Sequence, residues 1–169
     1  IVGNTLQEAA PVMKKIRDKG VPWVMKILKE EGKSVEEEEA FVRDQIEFFD
    51  RFQEIQKKWK PVGDKKKNGD TDLDWGDAPR CVMSVMVSSM YAQYMDKACA
   101  FEHSVEKAKE RLRPILRKAM EINACLILDM EHLPLRELTL ETFKSILEEP
   151  EFAGYPHVGL RSEERRVGK

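Results

Sequence analysis

Asp129 and Glu131 close an apolar run over residues 122–131, INACLILDME. Carboxylates at alternate positions of an extended segment lie on the same side of it. There they can move protons, form a metal or general-base pair, or hold the polar groups of a ligand. An apolar run of this kind suits a strand buried on both faces of a parallel sheet. In α/β folds chemistry gathers beyond the carboxyl ends of such strands. The plainer reading is that both residues cap a strand and open a solvated loop, because placed carboxylates mark function only statistically. The residues alone leave both readings open. His132 adjoins Glu131, but neighbours on a strand point to opposite sides.

The elements that would position this pair alternate between strand and helix. Upstream, HSVEKAKERLRPILRKAM places Val105, Ala108, Leu112, Ile115, Leu116 and Ala119 at three- and four-residue steps, one stripe of an amphipathic helix. Ser104 is the expected N-cap, with Glu106 favouring the helix dipole. Pro114 is expected to kink or split this helix. Downstream, Leu140, Phe143 and Ile146 or Leu147 make a second stripe. Strand, helix, strand, helix is the grammar of a parallel sheet with crossover helices.

Nearer the start, Thr5 and Glu8 form a capping box before a helix that runs to about Lys19, and Gly20 is its natural stop. VPWVMKIL follows as a first strand. Ser34 and Glu37 form a second capping box. They open a long helix to about Trp59, with Phe41, Phe48, Phe49, Phe52 and Ile55 on its apolar side. Aromatic residues at helical spacing read as core. Residues 60–80 are rich in Lys, Asp and Gly without periodicity and read as a mobile loop or insertion. Within them DTDLDWGD fails the calcium-loop test: with Asp70 first, the sixth residue is Trp75 and the twelfth Cys81, so no metal site is expected. Trp75 reads as an anchor for the loop.

Composition narrows the class. Hydrophobic residues make up 41% of the 169, enough for a packed core, and the net charge of −2 offers no electrostatic case for nucleic acid. No apolar stretch approaches the roughly 20 residues that span a bilayer. Cys81, Cys99 and Cys125 show no metal-ligand spacing; Cys81 and Cys125 read as small core residues. A reducing, cytoplasmic setting follows as the expectation. The chain has no phosphate-binding glycine loop, no H-E-x-x-H pair and no G-x-S-x-G elbow.

Taken together, HSVEKAKERLRPILRKA, ILDME, PLRELTLETFK and EFAGYPHVGL resemble the proline dehydrogenase barrel of the proline utilisation A family. TLQEAAPVMKKIRDKGVPWVMKILKEE resembles the opening helix and first strand of that barrel, and VMSVMVSSMYAQY its second strand. The resemblance covers residues 4–160. It implies the N-terminal part of a (β/α)8 barrel, with three to four parallel strands and crossover helices. It also implies FAD as cofactor and oxidation of L-proline to 1-pyrroline-5-carboxylate by hydride transfer to the flavin. A fused or partner aldehyde dehydrogenase domain, a quinone acceptor and peripheral docking at the inner membrane belong to the same expectation. Residue by residue, Asp129 matches the family aspartate beside flavin and substrate, and Glu30 matches a glutamate that gates the site.

Three positions, on two strands, depart from the family pattern. Its first strand reads D-x-L-G-E, where this chain has Lys26, Ile27, Leu28, Lys29 and Glu30. Its second strand carries a lysine that contacts flavin or substrate, and Met86 takes that place here. A thioether cannot donate a hydrogen bond or offset an anion. The resemblance puts the main flavin contacts and the carboxylate-clamping arginines on later elements. Residues 1–160 are therefore expected to form a partial barrel that is inactive by itself, and residues 161–169 a non-native tail. Two rivals remain at this stage. One is a helical interaction module without enzymatic activity; the other is a different (β/α)-barrel enzyme that uses the same strand-end carboxylates.

Overall fold

The computed structural model describes residues 3–28, 34–59, 79–91, 100–130 and 133–162. Helix α1 (Leu6–Arg17) starts where the capping box places it. Thr5 accepts from the Glu8 backbone N–H at 3.2 Å, and the Glu8 carboxylate accepts from the Asn4 N–H at 2.8 Å. Gly20 has φ of 75°. That conformation costs a glycine little, and it lets the Val21 N–H turn back to the Ile16 carbonyl.

Strand β1 (Met25–Lys26) is shorter than the segment VPWVMKIL suggests, since only these two residues pair with a neighbour. Ser34 then caps α2 (Val35–Gln56) by accepting from the Glu37 N–H at 3.3 Å. The aromatic side of α2 is core: Phe49 and Phe52 are fully buried, and Phe52 meets Trp23 and Trp59 edge-on.

Strand β2 (Val82–Met86) runs directly into the single turn α3 (Val87–Met90). Helix α4 (Phe101–Glu121) differs from expectation at two points. It begins a turn before Ser104, with Ala100 at the cap position, so Ser104 is buried inside the helix and does not cap it. It also runs unbroken through Pro114. A proline within a helix costs about 3 kcal/mol, but here Leu112, Ile115 and Leu116 around it are all fully buried, and that packing holds the helix together.

Asn123, with φ of 52°, stops α4. The Ala124 N–H bonds the Ala119 carbonyl and the Asn123 N–H bonds the Met120 carbonyl. This paired closure is the Schellman arrangement, and it launches β3 (Cys125–Met130) two residues later. Helix α5 (Arg136–Leu147) and strand β4 (Val158–Ser162) complete the described chain.

The strands form one parallel sheet in the order β1-β2-β3-β4. This is the α/β architecture expected from the sequence. The helical-module alternative fails here, because the apolar runs around residues 82–86 and 125–130 are strands. Side chains alternate across a strand, and the two sheet faces divide accordingly. Met83, Val85, Leu126 and Leu128 lie on one face, almost wholly buried with α2 and α4. The register puts Lys26, Ser84, Met86, Ile127, Asp129 and Arg161 on the other. Among the described residues, no helix is long and apolar enough to cross a membrane.

Candidate active site at the carboxyl end of the sheet

Asp129 is the fifth residue of β3, and its side chain has no exposed surface. It lies in register with Met86 on β2 and Arg161 on β4. A buried carboxylate is stable only when cations or hydrogen-bond donors surround it. Among the described residues, two cations reach this one. The Lys26 Nζ lies 3.0 Å from Oδ2. The Arg161 Nε donates to Oδ1 at 2.8 Å, while its Nη2 donates to Oδ2. The arginine thus holds both oxygens in the fork geometry that guanidinium favours.

The structure brings together part of the set singled out by sequence. Met86 and Asp129 are side by side in the register of β2 against β3. Glu30, Glu131 and His132 lie outside the described residues, as do Trp75 and most of the 60–80 segment. Two participants were not singled out as site residues. Lys26 had a visible signal: it is a charge in an otherwise apolar strand. Arg161 belongs to the segment where the family resemblance stops, yet β4 continues through it to Ser162. Ser84, one same-face step before Met86, is buried, and its Oγ has no partner among the described residues.

The amino end of the same strands has different chemistry. Cys81 is buried, and burial pushes its thiol far above the ordinary range, with neighbouring Cys125 adding to the effect. The Cys125 thiol is also pushed up by burial. Tyr155 donates to the Ala124 and Ala119 carbonyls. Burial first, then Cys125 and Cys81, push its hydroxyl up to about 12. All three groups are held neutral. Neutral thiols are poor nucleophiles, so this end supplies no reactive group of that kind.

A parallel sheet with crossover helices and a buried strand-end carboxylate defines an α/β enzyme domain of the barrel type. The chain matches the family model described as Proline dehydrogenase over residues 9–161, and it belongs to that family. Among solved structures it is similar to proline utilization A (PutA) from Bdellovibrio bacteriovorus, whose crystal structure is of the protein inactivated by N-propargylglycine. The two share 31% identity with a TM-score of 0.80, over 95% of this chain and 16% of that one. The chain therefore spans 16% of the length of that structure. No curated protein sequence matches it. Family membership supports an oxidoreductase and sets aside an unrelated barrel enzyme.

Proposed function

We propose that this chain is the N-terminal part of a flavin-dependent proline dehydrogenase that oxidises L-proline to 1-pyrroline-5-carboxylate. The observation that carries the reading is Asp129: a wholly buried carboxylate, flanked by cations, at the carboxyl end of a barrel-type strand in a member of the proline dehydrogenase family. When bound, FAD supplies the acceptor for the hydride that leaves the proline ring carbon; the amine proton is lost and a C=N bond forms. Asp129 is fixed in place to orient polar groups of cofactor or substrate. Ser84, buried on the same face with a hydroxyl that has no partner among the described residues, has the donor capacity a polar ligand would use.

Met86 fits less well. It stands beside Asp129 where the resemblance implies a lysine, and it has no proton to donate. Glu30 is assigned the gate. Residues 1–160 are assigned to the partial barrel; of the 161–169 segment read as a non-native tail, Arg161 lies within the family match and Ser162 within β4. The parent protein is cytoplasmic, with peripheral docking at the inner membrane. A quinone is its electron acceptor, and an aldehyde dehydrogenase domain is its fused or separate partner.

The test is proline-dependent dye reduction by the full-length parent with FAD present. The expected result is turnover that rises with Met86→Lys and is lost with Asp129→Asn, while this chain alone gives none. A parent that stays inactive even with Met86→Lys would remove the proposal.

A further inference from the structure

We propose that Lys26 is a positioning residue of this site. Its ammonium reaches from β1 across β2 and holds the Asp129 carboxylate charged and oriented. The inference rests on the proposed function only for what Asp129 does in turnover; the placement stands on geometry. Lys26 is in register with Ser84, and Asp129 with Met86, so Lys26 and Asp129 are separated laterally by the whole of β2. At ordinary strand spacing that is about 10 Å. Nζ nevertheless lies 3.0 Å from Oδ2, with only 18% of the lysine side chain exposed. The stem therefore passes over β2, and the four methylenes are spent on that crossing.

The intervening strand cannot do the same work. On the shared face it offers Met86, a thioether, and Ser84, a neutral hydroxyl. Arg161 meets the carboxylate from the other side, but its side chain is 48% exposed. The lysine contact is the less accessible to water of the two and is less screened by it. One consequence concerns two of the departures from the family pattern, at positions 26 and 86. They become a single change, in which a cation has moved from β2 to β1 and still serves the same face of the sheet.

The experiment follows the Asp129 carboxyl carbon by NMR in the 169-residue chain, assigned by its loss in Asp129→Asn. Arg161→Gln is the background, so that Lys26 is read without the second cation. Adding Lys26→Gln should raise the pH at which Asp129 titrates by about one unit or more, the scale of a lost opposite charge. Adding Lys26→Arg should leave it in place. Adding Met86→Lys to the Lys26→Gln chain should bring it back at least halfway.

An unchanged titration with Lys26→Gln overturns the proposal. Should Lys26→Gln cost the chain its dispersed amide spectrum, the triple variant decides. Recovery of the fold and of the titration by Met86→Lys supports the proposal, and failure to recover overturns it. The measurement needs neither proline nor FAD. Its failure is therefore distinct from a failure of the proposed activity, which the dye assay reports.

Discussion

At the carboxyl end of the sheet the chain buries a full charge and, among the described residues, brings Lys26 and Arg161 to it from strands on either side of β3. At the amino end of the same strands it buries Cys81 beside the half-buried Cys125 and Tyr155, with burial keeping all three protonated. The backbone is the same parallel ladder at both ends, so the difference lies in the side chains alone. Conformational stability comes from apolar area, dispersion and satisfied neutral hydrogen bonds, which the amino end supplies. A buried ion pair roughly breaks even against an apolar replacement. Its presence at the other end therefore calls for a reason other than stability. Barrel enzymes place chemistry beyond the carboxyl ends of their strands, and the buried charge of this chain lies at that end.

The largest effect expected is at the charged end. Replacing both cations, Lys26→Met with Arg161→Met, leaves Asp129 buried without either partner and should cost about 3–5 kcal/mol, read from urea unfolding at neutral pH. The deficit should shrink in acid, where a protonated carboxyl no longer needs a cation. A double variant as stable as the parent at neutral pH would mean that Asp129 has water or other donors enough, and the contrast between the ends would fail. Next in size is Cys81→Ser at the neutral end. It places a hydroxyl in an apolar, buried site and should cost about 1–3 kcal/mol. The same change at half-buried Cys125 should cost less, and equal costs would show that burial is not what separates the two thiols.

Tyr155→Phe removes donations to two carbonyls at the α4–β3 turn and should cost about 1 kcal/mol. Its pH signature is distinct. The folded-state hydroxyl titrates near 12 against an ordinary value of 10, so the fold favours the neutral form. That stabilisation is complete below pH 10 and is lost as pH rises through about 12. Thermal unfolding of parent and variant should converge at the alkaline end; parallel curves would refute the assignment.

The smallest effect belongs to the outer helical layer, a control for both ends. Glu149 pairs with Arg113 and with Lys109, and its carboxyl is pulled down to about 2, chiefly by Arg113. The stabilisation is present above the ordinary 4.5 and is lost as pH falls toward 2. Glu149→Gln should therefore cost below about 1 kcal/mol at pH 7 and close to nothing near pH 2. A larger loss at neutral pH would show that this cluster carries more than an accessible ion pair should.

Local chemistry wrote much of the fold into the sequence. The capping residues Thr5 and Ser34 and the stop at Gly20 act through bonds to neighbours within a few positions, so they can be read along the chain. The stripe from Val105 to Ala119 became the buried side of α4 for the same reason. The failures were local signals that packing overrode. Ser104 looks like a cap but sits inside a helix that extends upstream, and Pro114 looks like a break but lies among fully buried neighbours. Among the described residues β1 has two that pair, fewer than the apolar segment suggests, because pairing is made with another strand and not along the chain.

For the site, the sequence determined that a carboxylate would lie near the end of β3, where the apolar run gives out, and the strand runs one residue past it. That Met86 would flank that carboxylate was left to the tertiary structure, since the register of β2 against β3 sets the pair. Only the tertiary structure decided that Lys26, 103 positions away, would meet Asp129. That contact depends on the order and register of strands joined by long connections. No rule acting between near neighbours specifies how far a lysine stem must reach across an intervening strand.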